Sequence, residues 1–497
     1  MASTPAILAI DQGTTNTKAL VVGLDGMILG TSSVPTGVDH PKPGWAQTPA
    51  AMIRDSVAAA VMAARAQAGD AAILAIGISN QRESVVAWDA VSGEAVGPCV
   101  IWQCLRSAPL CDALRQAGHA DEVAARSGLG LDPMFSAGKL RWLLDHGAGP
   151  RGTARDLAQA GELRAGTVDA WLLWALTGGA AHACDAGNAS RTQLLNLDTI
   201  DWDPRLLDLF GIPAGILPLV CASNALFGHT VGGFAGLPEG IPIHAMMGDS
   251  HAALFGHAID GPGRVKVTLG TGSSLMAPTS ARTRSTHGLS STIAWQRDAA
   301  PVHALEGNII VSGHAASFGA QMLGLDGPEA LSALAASVPD AGGVQVVPAL
   351  AGLGAPHWQA DARGLICGLS LASRPAHVAR AVLEGIAHQI CDVLAALGAD
   401  LGGPFAAISV DGQAAANDLL MQMLADLSGR TVERPAQTAL SALGAAMLAA
   451  DAIDRPLAES LRARDRSFAP CLAEEPRQAA RAAWGLAVAR ATMESPT

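Results

Sequence analysis

The sequence predicts an α/β protein of two related domains, and three observations carry that prediction. The apolar residues 7–10 deliver Asp11 to a strand end, Gly13-Thr14-Thr15 turn the chain, and the apolar residues 19–22 carry it away as a hairpin. The same plan returns at residues 264–276, where a strand, the turn Gly270-Thr271-Gly272 and another strand follow one another. The chain is also 497 residues long, which is too long for a single core. An echo at about half the chain length indicates two related domains rather than a short-period solenoid. Domains over residues 1–253 and 254–497 follow from it.

The opening hairpin gathers a carboxylate, turn N–H groups and two hydroxyls at one tip. Turn N–H groups and Thr hydroxyls can receive phosphoryl oxygens, and an Asp can hold a hydrated metal ion. An ordinary surface Gly turn fits the same residues, so at this point both readings stand. Leu24-Asp25-Gly26 makes the next turn, and residues 27–33 return as a third strand, completing an antiparallel meander. Residues 41–49 form a Pro-rich loop and residues 50–68 an Ala-rich helix. Residues 73–79 read as a buried strand ending in four polar residues, Asn80-Gln81-Arg82-Glu83. Residues 85–88 and 100–102 are expected to continue the same sheet.

From residue 105 to 146 the pattern is mostly helical, broken at 127–130 and at Asp132-Pro133. Residues 167–176 read as a helix with Thr167 or Gly166 near its cap, and Asp203-Pro204 start another that Gly211, with Pro213 and Pro218, stops. A Gly-rich loop spans 228–240. The apolar residues 241–247 then end in Gly248-Asp249-Ser250-His251, and a helix over 252–258 is expected to follow. In the second half, residues 406–412 are a strand leading into a Gly turn. Residues 417–427, 441–450 and 478–493 read as helices.

Composition narrows the function classes. Apolar residues make up 49 % of the chain and charged residues 15 %, which excludes global disorder. The net charge of −12 argues against a nucleic-acid partner or an anionic membrane surface, yet a nucleotide needs only local positive groups. Eight cysteines are scattered without a C-x-x-C pair or zinc spacing, the pattern of reduced thiols in the cytoplasm. The first apolar stretch is short and ends in Asp11, so no signal peptide is expected. No run of about 20 apolar residues is free of charge, so no membrane span is expected.

Further motifs carry a resemblance to a known family. In order they are residues 11–18, Asn80-Gln81-Arg82-Glu83, Gly166-Thr167-Val168-Asp169, Asn188-Ala189-Ser190-Arg191-Thr192, Gly248-Asp249 and Gly270-Thr271-Gly272. Leu305-Glu306-Gly307, Gly352-Leu353-Gly354-Ala355-Pro356, Val410-Asp411-Gly412 and Ala442-Leu443-Gly444-Ala445-Ala446 follow. This series, almost end to end, resembles the FGGY family of carbohydrate kinases, which contains glycerol kinase, xylulokinase and gluconokinase. Asn80 to Glu83 and Trp102-Gln103 look most like glycerol kinase. The resemblance implies a two-domain actin-like (ribonuclease H-like) ATPase fold with a deep interdomain cleft. It also implies ATP-dependent, Mg2+-assisted phosphorylation of a hydroxyl on a small polyol or sugar.

The resemblance carries over residue by residue. Asp249 looks like the catalytic base; a helix N-cap is its plain alternative, and the two are compatible. An Asp near its ordinary pKa is a weak base that orients the hydroxyl and takes its proton late in a loose transition state. Asp11 resembles the magnesium-linked carboxylate, with Asp249 as a second metal contact. Thr14, Thr15, Asn16 and Lys18 resemble the phosphate contacts, Lys18 standing where glycerol kinase carries Arg. Arg82 and Glu83 lie where the family grips substrate hydroxyls, since Arg offers only donors and ionised Glu only acceptors. A surface salt bridge is the plain alternative for that pair. Trp102 would wall the carbon chain or simply belong to the core. Gly270, Thr271, Gly313 and Ser317 would meet the nucleotide from the second domain. Gly412, Gln413 and Asn417 resemble the adenine turn and its helix start, with an ordinary cap the alternative for Asn417.

Departures from glycerol kinase cluster in the substrate pocket. Met134 stands at a Tyr of that enzyme, and Ser250 at the Gln beside the catalytic Asp. Losing a phenol and an amide removes hydrogen-bond partners, which points to a polyol or sugar of four or five carbons, with glycerol still open. Residues 231–241 hold no Lys or Arg, so regulation by a phosphorylated sugar is not expected. A nucleotide-driven binding protein of the same superfamily and a non-turnover member are the alternatives to a kinase. Asp249 with Arg82 and Glu83 favours the kinase, because a pure clamp needs no set of residues to grip an alcohol. Neither nucleic acid nor membrane is expected as a partner, and association into a homo-oligomer is left open.

Overall fold

The computed structural model describes residues 3–493. They form two compact units. The first takes the chain up to residue 258 together with 291–303 and 439–461; the second takes 259–290, 304–438 and the chain from 462. The chain therefore returns twice to the first unit. The second return brings the helix Leu440–Ala452, whose small residues let it lie directly on its neighbours. A Cβ on Gly444 would sit 1.8 Å from the carbonyl oxygen of Ala252, and one on Gly77 would sit 2.3 Å from that of Ala445. Only glycine at both places allows these backbones to touch.

The first unit is built on a six-stranded sheet. Its order is Gly228–His229, Pro242–Gly248, Ala72–Asn80, Pro5–Gln12, Asn16–Gly23 and Ile28–Pro35. The last three strands are the antiparallel meander the turns predict. Strands 242–248, 72–80 and 5–12 run parallel, and their near-continuous apolar runs suit burial on both faces. In this register Asp11 pairs with Ser79, Gln12 with Asn80, and Gly248 also with Asn80. Three carboxyl ends are thus level, the position where open α/β sheets bind ligands.

Residues 85–89 and 99–100 do not extend this sheet. They join Leu163–Thr167 and Gln47–Thr48 in a separate four-stranded sheet. The cause lies between the strands. Glu83 has a left-handed φ of +62°, and the Ser84 N–H donates to the Arg82 carbonyl at 2.7 Å, a tight three-residue turn that redirects the chain. The helix expected over 252–258 also begins earlier, at Asp249–Gly256, because Gly248 alone makes the strand-to-helix junction.

The second unit repeats the plan. Arg264–Leu269 pairs antiparallel with Ser273–Thr279 and parallel with Ala407–Asp411, which continues to Thr431–Pro435 and Arg464–Phe468. Its core helix, Pro375–Leu401, is the one described helix long and apolar enough to cross a membrane. Leu383, Ile386, Ile390 and Leu397 of that helix are instead buried in the core of this unit. The helix Ala50–Ala68 of the first unit begins and ends where the sequence placed it.

Candidate active site

In the first unit the level strand ends bring the acid residues together. Asp11 is nearly buried, accepts a 2.7 Å hydrogen bond from Ser79 Oγ, and lies opposite Lys18 across the hairpin. Burial raises its pKa, with Ser79 and the Lys18 charge opposing. At the hairpin tip the Gly13 N–H donates to the Asn16 carbonyl at 3.0 Å, leaving Thr15 exposed. The Thr14 hydroxyl accepts the Trp102 indole N–H at 2.9 Å and reaches Gln81 at 3.4 Å, so the proposed wall and the proposed phosphate turn are joined.

Asp249 follows Gly248 at the first position of its helix. It is not the N-cap; that position is Gly248, without a side-chain cap. Its side chain is 39 % exposed, and Oδ1 lies 3.3 Å from Arg82 Nε. The pKa is pushed up to about 6, chiefly by burial of the carboxyl, with Arg82 opposing and the Asp11 and Glu83 charges adding to the rise. The carboxylate is therefore a better proton acceptor than an Asp at its ordinary value. Gly248 makes room for Arg82, since a Cβ there would fall 2.4 Å from both Cγ and Cδ of that side chain. Ser250 is nearly buried, and its N–H donates to Asp249 Oδ1 at 2.6 Å.

Arg82 and Glu83 are both almost buried, at 6 % and 5 % exposure, so they form no surface salt bridge. They pair with different partners. Arg82 reaches Asp249, whereas Glu83 Oε1 accepts from Arg191 Nε at 2.7 Å. Arg191 is fully buried, its guanidinium 5.2 Å from the Phe135 ring centroid. The Glu83 carbonyl accepts from Ser136 Oγ and Lys139 Nζ, each at 3.1 Å. Lys139 Nζ also donates to the carbonyls of Met134 and Phe135. Burial pulls the Lys139 pKa down to about 8.

Sequence reasoning gave Lys139 no place, and it gave Arg191 a place in a family motif but no role. Each is a lone cation amid buried residues, and a charge in such a run demands a partner. Behind the strand end, Asn80 and Asn188 exchange hydrogen bonds at 3.1 and 3.0 Å. Asn188 donates to Asp185 at 2.7 Å, and Asp185 also accepts from Ser223 at 2.8 Å. Asp169 accepts the Asp185 N–H at 3.3 Å. Burial raises both of these carboxyl pKa values, and the Asp185 charge raises that of Asp169 further.

The second unit holds a separate constellation. Gly270 N–H donates to the Gly272 carbonyl at 2.9 Å, and the Gly270 carbonyl accepts from Gly313 at 3.0 Å. Thr271 carbonyl accepts from Ser312 at 3.0 Å. A Cβ on Gly313 would lie 2.4 Å from Gly270 oxygen, and one on Gly412 2.4 Å from Leu269 oxygen. Three turns therefore converge at neighbouring strand ends. Ser317 and Gln413 are exposed beside them. Asn417 is the N-cap of the helix Asp418–Ser428, accepting from Leu420 N–H at 3.2 Å, and it donates to Ser332 at 2.7 Å. The cap reading is thus realised for Asn417, although it was not for Asp249.

Among the described residues no cluster of three or more His, Cys, Asp or Glu could hold a metal ion by itself. Asp11 and Asp249 supply hard oxygen donors whose charges already repel, which suits Mg2+ held partly by water and phosphate. When bound, the ion would neutralise charge on phosphate oxygens.

Comparisons with known proteins agree with this arrangement. The family model for the N-terminal domain of FGGY carbohydrate kinases matches residues 6–256, and that for the C-terminal domain matches 265–453. The chain is 46 % identical to a glycerol kinase from Aromatoleum aromaticum over 494 residues, covering 98 % of each chain. It is also 46 % identical to an apulose kinase from Pectobacterium atrosepticum over 446 residues, covering 90 % of this chain and 89 % of that one. The structure of Plasmodium falciparum glycerol kinase with ADP matches with a TM-score of 0.92 at 28 % identity, covering 100 % of both chains. A gluconate kinase structure from Lactobacillus acidophilus shares the fold, with a TM-score of 0.86 at 22 % identity over 98 % of each chain. The two-domain actin-like fold follows, as does a kinase that phosphorylates a polyol or sugar with ATP rather than a nucleotide-driven binding protein. On two family models spanning most of its length, this chain belongs to the FGGY family of carbohydrate kinases.

Proposed function

We propose that Asp249 takes the proton of the attacking hydroxyl, and that the acceptor is a polyol or sugar of four or five carbons. The half-open Asp249 carboxylate against Arg82, with its pKa near 6, is the observation that carries the catalytic part. A base with that pKa is ionised at neutral pH and still accepts a proton late in a loose transition state. Arg82 keeps the carboxylate ionised and offers N–H groups to an alcohol oxygen, while Glu83 offers an acceptor. Asp11 and Asp249 would hold Mg2+, and Thr14, Thr15, Asn16 and Lys18 would receive phosphate oxygens. In the second unit Gly270, Thr271, Gly313, Ser317, Gly412 and Gln413 would meet the nucleotide, while Asn417 fixes the helix that follows. The ADP of the Plasmodium falciparum relative supports a nucleotide role for this chain. Eight unbridged cysteines support a reducing compartment, the cytoplasm.

The acceptor assignment rests on Met134 and Ser250, which offer no phenol or amide to the site. Relatives of equal identity named for glycerol and for apulose support a pocket open to more than one alcohol. Glycerol is the second reading, favoured by the glycerol kinase names among the relatives. A coupled ADP-release assay over glycerol, erythritol, xylitol, xylulose, ribulose and apulose decides. The expected outcome is a higher kcat/KM for a four- or five-carbon acceptor than for glycerol. A preference for glycerol would overturn the acceptor assignment.

A further inference from the structure

We infer that Lys139 is a positioning residue that sets acceptor specificity, because one ammonium ties Glu83 and Met134 into a fixed spacing. It rests on the reading of Glu83 and Met134 as acceptor contacts. Lys139 is fully buried, and the carbonyls of Glu83, Met134 and Phe135 accept from its Nζ. An ammonium has three N–H donors, so this set of carbonyls can use all of them. A buried cation satisfied by carbonyls alone is an expensive way to hold a loop. Here the three carbonyls belong to two separate segments: the turn at Glu83 and the loop 132–135 that leads into the helix Ser136–His146.

Glu83 gives the arrangement its purpose. Its backbone is held at φ +62°, where a residue with a Cβ is disfavoured. Lys139 and Ser136 grip its carbonyl, and Arg191 grips its carboxylate. With both ends of the residue fixed, the remaining carboxylate oxygen keeps one direction. The same ammonium fixes the backbone of residue 134, which departs from the glycerol kinase pattern. The distance between a hydrogen-bond acceptor at 83 and an apolar side chain at 134 is then set by Lys139 rather than by either side chain. Site residues need such support to stay within about 0.5 Å of the productive geometry.

The test is steady-state kinetics of the full chain carrying Lys139→Met, with Glu83→Gln measured alongside. The expected result for Lys139→Met is an acceptor KM raised about ten-fold, with kcat and the ATP KM within about three-fold of wild type. The ratio of kcat/KM between a three-carbon and a five-carbon acceptor should shift as well. A folded Lys139→Met protein with unchanged acceptor KM and unchanged ratio would overturn the inference, as would equal losses for acceptor and ATP. If Glu83→Gln raises the acceptor KM while Lys139→Met does not, Lys139 alone is misassigned. If neither changes it, the acceptor site itself is misread and the inference falls with it. Where Lys139→Met does not fold, Ser136→Ala removes the other donor to the Glu83 carbonyl. An acceptor KM raised about three-fold at unchanged ATP KM supports the inference, and no change overturns it.

Discussion

The two hairpins share a topology and differ in where they carry charge. In the first unit Asp11 stands on the hairpin strand, and its parallel partner across the sheet is the hydroxyl residue Ser79. In the second unit the order is exchanged: the hydroxyl residue Thr268 stands on the hairpin strand, paired with Asp411. Counting back from each Gly-Thr turn, Asp11 and Thr268 are equivalent positions. On the hairpin strand one frame thus carries a carboxylate and the other a neutral hydroxyl, while the second frame's carboxylate, Asp411, stands on the neighbouring strand before Gly412. Among the described residues Thr268 Oγ1 is buried without a hydrogen-bond partner, whereas Asp11 is held by Ser79. A carboxylate beside a turn suits a cation and a reacting hydroxyl. In the second frame the carboxylate is set back on the neighbouring strand, so the hairpin strand itself adds no charge beside a polyanion. The duplicated fold supplies the strand ends, and single side chains decide which charge each end receives.

The most damaging change expected is Asp249→Asn, which removes the proposed base while leaving the second unit untouched. Turnover should fall by roughly 10²–10⁴, with ATP affinity by calorimetry unchanged. Unchanged turnover would leave the first unit without a chemical role for Asp249. In the parent enzyme, kcat/KM for the acceptor should decline as pH falls through about 6, as the carboxylate protonates. The sign for stability is opposite. A carboxyl whose pKa is raised on folding contributes its full share below its unfolded pKa and loses it as pH rises through the folded value. Asp249→Asn should therefore raise Tm relative to the parent at pH 8 and change it little at pH 4.

Exchanging the two hairpins tests the comparison directly. Asp11→Ser should lower turnover by about 10²-fold if Asp11 holds Mg2+ as proposed. Thr268→Asp should instead weaken ATP binding, by about ten-fold from like-charge repulsion, with the acceptor KM little changed. If Thr268→Asp raised the acceptor KM and spared ATP, the two hairpins would not divide the acceptor and the nucleotide between them. The smallest effect is expected at Asn417→Ala. Losing this cap should cost about 1 kcal/mol in urea denaturation, with the ATP KM changed less than about three-fold. A large rise in the ATP KM would make Asn417 a nucleotide contact as well as a cap.

Much of this was legible locally. The meander, the strand before Asn80, the helix Ala50–Ala68 and both Gly-Thr turns follow from apolar runs and turn residues that act over a few positions. The start of the Asp249 helix was misplaced by three residues because a lone Gly gives little local sign of a sharp junction. The side sheet escaped for a different reason. The left-handed turn at Glu83 carries no Gly or Asn to announce it, and it exists because Lys139, Ser136 and Arg191 hold it from elsewhere in the chain.

By itself the sequence determined the two-unit α/β plan and the identity of the groups at the strand ends, since these depend on short patterns, while the reaction class came from its resemblance to a known family. Only the tertiary structure decided that Arg82 pairs with Asp249 and Glu83 with Arg191, although Arg82 and Glu83 are adjacent in the chain. It also decided that burial lifts the Asp249 pKa to about 6, because desolvation depends on everything packed around a carboxyl. The interleaving of the units through residues 291–303 and 439–461 belongs to the same class. Pairing, burial and return of the chain are sums over distant neighbours, and no local pattern contains them.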